Sequence, residues 1–272
     1  MKKKRLIPVL LLRNGWLVQS KLFKEYKNLG NPITAVKRLS QWASDELIYL
    51  DISDGENYDL RRDDLNTPNR HTIFEILDDI SKSTFMPITV GGKIRTINGI
   101  YDRLSRGADK ISINTIALEN PSFITAAAQE FGSQCIVVSI DAKLIDGSYW
   151  VMTQHGSVKT KYTVEDWAKA VESYGAGEIL LNSVDRDGMK NGFEIPLVKS
   201  VCDAVKIPVI ACGGAGDWAD FGQLFDETTA DAVAAANIFQ HVDQSVHLAK
   251  KYLYEHSYQV RPPRLLEMDQ RL

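Results

Sequence analysis

Two glycine pairs and a few carboxylates are the residues here best suited to chemistry. Gly91-Gly92 and Gly213-Gly214 each follow an apolar run and precede a helical pattern. Glycine lets backbone N–H groups approach an oxyanion closely, and a helix start adds favourable dipole charge. The next apolar run ends in Asn114 and Thr115 in one case and in Asn237 in the other. This paired arrangement reads as two phosphate sites; ordinary glycine turns are the alternative. Asp51 and Asp141 each close an apolar run, so both are expected to project at one face. A carboxylate there is costly unless it is used or paired. Asp141 is the leading candidate general acid or base, with an ion pair to Lys143 as its structural alternative. Asp185-Arg186-Asp187-Gly188 closes a further run. Asp51 and Asp187 are further candidate proton carriers, and Gly188 joins the phosphate-binding set. An Asp-Gly turn with an arginine salt bridge is the plainer reading of that segment.

A second constellation lies at the opposite ends of the same runs. Arg5, Glu46, Lys110 and Glu178 each begin one. Two positive and two negative charges at one end would form an ionic ring. Such a ring is structural in a simple barrel and a gate in a barrel that conducts something along its axis. The sequence leaves both open. The five histidines show no close ligand spacing, so no metal and no cofactor is assigned. The three cysteines lack a CxxC spacing and read as reduced thiols of a cytoplasmic protein.

The elements that must position these groups follow from hydrophobic patterning. Eight short apolar runs alternate with helical segments: Leu6–Leu12, Leu47–Ile52, Ile88–Val90, Lys110–Ile113, Ile136–Ile140, Ile179–Leu181, Val209–Ala211 and Ala232–Ala235. Continuous rather than alternating apolar character suits parallel strands buried on both faces. Eight such units in 272 residues predict an α/β fold, a (β/α)₈ barrel over residues 1–256. The chain also reads as two related halves. Seventeen positions separate Gly92 from Asp109 and also Gly214 from Asp231, which points to half-barrel duplication. A polar insertion over 53–70 is either a lid or a solvated loop. Within 143–160, residues 148–156 look like a hairpin; 257–272 form a C-terminal tail, whose polar part from Pro262-Pro263 is expected to be poorly ordered. The N-terminal run imitates a signal peptide, but it is seven residues long and broken by Pro8, so a buried first strand is expected. A net charge of −3 argues against nucleic acid or an anionic membrane as partner.

Seven ordered motifs, IPVLLLRNG, DELIYLDI, ITVGGKIR, GADKISINT, FGSQCIVVSIDAK, GAGEILLNSVDRDG and IPVIACGGAG, resemble the cyclase (HisF) subunit of imidazole glycerol phosphate synthase across about residues 4–256. The resemblance implies a barrel paired with a glutaminase subunit (HisH-like) whose ammonia travels through the barrel core. In the family that ammonia meets a bisphosphorylated aminoimidazole ribonucleotide precursor. By motif, Arg5, Glu46, Lys110 and Glu178 match the family's ammonia gate, and Asp109 and Gln134 match positions at the glutaminase interface. Gly91, Gly92, Asn114, Thr115, Gly213 and Gly214 match its two phosphate sites. Asp141 matches one of its two catalytic aspartates.

The other catalytic aspartate is replaced by Leu11, which can neither give nor take a proton. Gln19 stands where the family has lysine, Lys93 where it has the third glycine of a turn, and Met189 where it has threonine. The loop after the second strand is longer. Similar paralogues occur among surface-polysaccharide gene sets, where a glutaminase and a cyclase-like barrel supply nitrogen to a sugar amidotransferase. The expectation is therefore a barrel that conducts ammonia for conversion of an acetamido sugar to an acetamidino sugar. The alternatives are a histidine-pathway cyclase and a non-catalytic scaffold or activator of the glutaminase.

Overall fold

The computed structural model describes residues 3–55, 58, 70–82 and 86–265. Its strands are β1 (Arg5–Arg13), β2 (Trp16–Lys21), β3 (Glu25–Gly30), β4 (Leu47–Asp51), β5 (Ile88–Gly91), β6 (Lys110–Ile113), β7 (Ile136–Ile145), β8 (Ser148–Thr153), β9 (Val158–Thr163), β10 (Glu178–Ser183), β11 (Val209–Cys212) and β12 (Ala232–Ala235). Among the described residues the helices are α1 (Pro32–Gln41), α2 (Ile73–Ile80), α3 (Ile97–Leu104), α4 (Thr115–Glu119), α5 (Ser122–Phe131), α6 (Val164–Ser173), α7 (Ile195–Ala204), α8 (Trp218–Glu227), α9 (Ile238–His241) and α10 (Ser245–Glu255). None of them is long and apolar enough to cross a membrane.

Strands β10, β11, β12, β1, β4, β5, β6 and β7 pair in that order, all parallel, and β10 pairs with β7 to close the ring. This is the expected (β/α)₈ barrel, and the eight apolar runs are its eight strands. Period-two alternation divides each strand between two cores. Ile7, Val9, Ile48, Val137, Leu180, Ile210, Ala232 and Ala234 fill the barrel interior. Leu6, Leu10, Leu47, Tyr49, Ile136, Val138, Ile179 and Leu181 belong to the larger core beneath the helices. Helix starts are marked locally. Thr72, Thr96 and Thr163 each accept a backbone N–H three residues on, and Asp217 with Asp220 forms a capping box.

Two departures from the expected layout concern the strand ends. The chain after β1 makes an unanticipated antiparallel hairpin, β2–β3, beginning at Asn14-Gly15, whose φ angles are +50° and +76°. The hairpin expected at 148–156 is larger. It comprises β7–β8–β9, with β7 running on to Ile145 and turning at Asp146-Gly147. Both positive-φ turns suit the right-handed twist of the strands they join. The tail begins with a packed stretch. Its described part, 257–265, packs against the strand starts: Lys4 pairs with Val260, Val260 is 4% exposed, and the Tyr258 ring packs against Phe225. The stretch from Pro262 onward, where poor order is expected, is described only as far as residue 265. Most of the 53–70 insertion lies outside the described residues, as does the chain beyond 265.

Candidate functional site

The strand starts carry the charged ring. Arg5, Glu46, Lys110 and Glu178 share the inward-facing register of Ile7, Ile48, Ser112 and Leu180, so all four converge on the barrel axis. Arg5 Nη1 donates to Glu46 Oε1 at 2.6 Å, and Arg5 Nη2 donates to Glu178 Oε1. Lys110 Nζ donates to Glu46 Oε2 and Glu178 Oε2, each at 3.0 Å. Charges alternate around the closed loop, and every member has two partners. Burial alone would lower the Arg5 pKa; the Glu178 and Glu46 carboxylates overcome it and raise it. Burial would likewise raise Glu46, but Arg5 and Lys110 hold it below the ordinary value. Asp109 and Gln134 are exposed at this same end, Asp109 also accepting the Ile88 N–H at 2.8 Å.

An apolar column separates this ring from the mouth. Leu11, Leu50, Cys212 and Ala236 extend the interior cluster toward the strand ends. Leu11 thus faces the interior, where it packs against apolar neighbours. Asp141 reaches the same end of the interior from β7. Its two oxygens accept from Asn114 Nδ2 at 2.8 Å and Asn182 Nδ2 at 2.9 Å, and Asn182 also donates to Ser139 Oγ at 3.0 Å. Burial raises the Asp141 pKa, opposed by the two amides. No ion pair joins it to Lys143 among the described residues. Sequence reasoning misses Asn182, two positions beyond Leu180 on β10; only the barrel register brings it to Asp141.

Of the three candidate carboxylates Asp51 stands apart, while Asp187 is near enough to Asp141 to add to the rise in its pKa. Alternation along β4 turns Asp51 to the outer face with Leu47 and Tyr49, away from Asp141. There Asp51 accepts from Ser53 N at 3.0 Å, Ser53 Oγ at 2.5 Å and Tyr58 OH at 3.1 Å, with Lys93 Nζ at 3.4 Å. Closing an apolar run gives a carboxylate the right end of the barrel but not the right face. Asp187 lies in the loop after β10. Its Oδ2 accepts from Ser20 Oγ at 2.6 Å and Phe23 N at 3.1 Å, and its carbonyl accepts from Leu22 N at 3.0 Å. Burial raises its pKa, against Ser20 and Phe23. Neighbouring Arg186 pairs with Glu194 at 2.6 Å, as the plainer reading of that segment expects. The β2–β3 hairpin is therefore pinned to the β10 loop. It is also tied to the β12 end, where Asn237 Nδ2 donates to Ser20 O at 2.9 Å. The Asn-Gly dipeptide before Trp16-Leu17-Val18 is the available signal for that hairpin.

Both glycine pairs sit at strand ends with positive φ at Gly92 (+101°), Gly213 (+98°) and Gly214 (+107°). A Cβ on Gly92 would come within 2.1 Å of Asp51 O, and one on Gly214 within 2.1 Å of Gly192 O. Close backbone packing thus demands glycine there whatever the turns bind. Asn114 and Thr115 lead into α4, and Asn237 into α9. The Oδ1 of Asn237 is buried without a hydrogen-bond partner among the described residues. Gly188 packs against Ser20 O and Asn237 beside it.

A closed parallel barrel, ringed by charge at the strand starts and carrying an acid–amide cluster at the strand ends, defines the class. The family model described as "Histidine biosynthesis protein" matches residues 5–244, and the chain belongs to that family. Over 253 residues it is 40% identical to the "Imidazole glycerol phosphate synthase subunit HisF" of Alkaliphilus metalliredigens (strain QYMF), a match spanning 93% of this chain and 96% of that protein.

Proposed function

We propose that this HisF-like barrel receives ammonia from a HisH-like glutaminase and delivers it at the strand ends for a reaction other than histidine-pathway cyclisation. The acceptor is an acetamido sugar converted to an acetamidino sugar, through a sugar amidotransferase that takes up the nitrogen. The observation that carries the reading is Leu11, facing the interior at the strand ends of a barrel whose charged ring at the strand starts is intact. Neutral ammonia is compatible with the apolar column of Ile7, Val9, Ile48, Val137, Leu180 and Ile210, whereas an ammonium ion there would bear the desolvation cost of an unpaired charge. The ring is the gate: passage requires one of its side chains, such as the single-point cation Lys110, to leave its two carboxylates. Asp109 and Gln134, exposed at that end, belong to the surface that docks the glutaminase.

At the mouth, Asp141 is the one interior-facing candidate acid or base. Held by two amide donors, it can give or take one proton, but with leucine at position 11 it lacks an opposing carboxylate. The glycine turns, with Asn114, Thr115, Gly188 and Asn237, orient a phosphorylated ligand there. Asp187 favours a second reading, a working cyclase that uses this buried carboxylate of raised pKa in place of the missing one.

Turnover of the bisphosphorylated cyclase substrate, driven by ammonium salt, separates the two. The expected result is no turnover above background, together with failure to complement a histidine auxotroph. Substantial turnover would overturn the proposal, and Leu11→Asp should then change little.

A further inference from the structure

The two glycine turns, alike in sequence, differ in what surrounds them. The residue after Gly92 is Lys93, while the residue after Gly214 is Ala215. Lys93 adopts φ +56°, a conformation that glycine accepts more readily than lysine. Its ammonium lies 3.4 Å from Asp51 Oδ2, donates to the carbonyl of Gly55, and sits 5.5 Å from the Tyr58 ring centre. The side chain is 17% exposed, and that of Asp51 only 2%. The cation is therefore already neutralised, and it holds Gly55 and Tyr58 beside the turn. A phosphate arriving at Gly91-Gly92 would meet a buried carboxylate whose countercharge is in use.

The second half has the opposite character. Ser183 closes β10 where Asp51 closes β4, and the carboxylate that follows, Asp187, is turned to the β2–β3 hairpin, on Ser20 Oγ and Phe23 N. Lys190 is exposed, and its Cβ is 2.9 Å from where a Cβ on Gly216 would fall. Among the described residues its ammonium has no ion pair or hydrogen bond. An exposed lysine thus stands beside Gly216, two residues past the second turn and within side-chain reach of it, while Lys93 at the first is committed to Asp51 and Gly55.

We propose that the Lys93–Asp51 pair closes the first turn to phosphate, and that the ligand of this barrel carries a single phosphate group, bound at Gly213-Gly214 beside Lys190. The inference rests on the reading of the glycine turns as phosphate sites. It narrows the ligand class from bisphosphorylated to monophosphorylated, which accords with the loss of the carboxylate at position 11.

The test is titration of the full chain with inorganic phosphate, followed by amide chemical shifts. In the unmodified protein one saturable site is expected, moving the Gly213 and Gly214 amides and leaving Gly91 and Gly92 in place. Asp51→Asn, nearly isosteric and still able to hydrogen-bond Ser53 and Tyr58, removes the carboxylate and frees the Lys93 cation, and is expected to gain a second site at Gly91-Gly92. Lys190→Ala should weaken the original site by roughly tenfold, the scale of one charge-assisted hydrogen bond. Saturable shifts at both turns of the unmodified protein would overturn the proposal and leave the phosphate reading standing. A single site persisting in Asp51→Asn would overturn the pair as the cause. No shift at either turn in any of the three proteins would overturn the phosphate reading itself, and the inference with it.

Discussion

Asp141 links the chemistry of the mouth to stability. Burial lifts its carboxyl above the ordinary value of 3.8, against the pull of Asn182 and Asn114. The native state therefore keeps this proton to a higher pH than the unfolded chain does. Across that interval the native state binds more protons, so the stability due to this group is full below about 3.8 and is lost as pH rises through the native titration. Asp141→Asn removes the titration. Thermal unfolding of both proteins from acid to neutral pH should show the parent losing stability relative to the variant as pH rises; a pH-independent difference would contradict the assignment. At the low end of the range the variant should be less stable by about 1–3 kcal/mol, since an amide offers one acceptor oxygen to two donors. Glu46 has the opposite sign. Its lowered pKa gives stability present above the unfolded value and lost as pH falls through the native one.

Among the elements, the β2–β3 hairpin is held to the barrel mouth by a small set of bonds. Asp187 takes Ser20 Oγ and Phe23 N on one oxygen, and its carbonyl takes Leu22 N. Ser20→Ala removes the short hydroxyl–carboxylate bond, worth roughly 1.5–3 kcal/mol for a charged acceptor. The Leu22 and Phe23 amides should then exchange with solvent at least about tenfold faster, while the melting temperature of the barrel barely moves. Unchanged exchange at these two amides would show that strand pairing with β1, rather than Asp187, holds the hairpin down. The hairpin at β7–β9 has the longer ladder: β8 pairs with β7 over five residue pairs, from Asp141↔Met152 to Ile145↔Ser148, against three between β2 and β1, from Leu11↔Val18 to Arg13↔Trp16.

For the molecule as a whole, the two terminal segments pack together at the end of the barrel that carries the charged ring. Lys4 N donates to Gln259 O at 2.7 Å, and Arg261 Nε lies 3.6 Å from Asp45, which forms a buried pair with Lys250 at 2.7 Å. A chain ending at His256 loses the burial of Val260 and the Tyr258–Phe225 contact. It should be less stable by roughly 2 kcal/mol, from the burial of about one large apolar side chain. That corresponds to a fall of several degrees in melting temperature for a barrel of this size. Equal melting temperatures for the two chains would mean that the tail adds nothing to the closed barrel.

Much of the architecture is legible in the sequence because the signals are local or periodic. Runs of β-branched and aliphatic residues locate all eight barrel strands, and their number and spacing imply closure. The Asn-Gly turn before β2 is equally local, but its consequence, a hairpin reaching Asp187, depends on a loop far along the chain. Ring membership can be read because Arg5, Glu46, Lys110 and Glu178 each begin a strand; that they pair in strict alternation depends on strand order and register. The carboxylates mark the boundary. Asp51 and Asp141 look alike in sequence, each ending an apolar run. Strand pleat and barrel register put one beneath the helices with Lys93 and the other in the interior with Asn114 and Asn182. The sequence by itself determined the barrel, the two glycine turns and the absence of an acid at position 11, because these depend on residue type and periodicity along one chain. Tertiary structure alone decided which carboxylate meets the interior, which lysine is already paired and where the tail goes, because each depends on groups far apart in sequence meeting across a closed sheet.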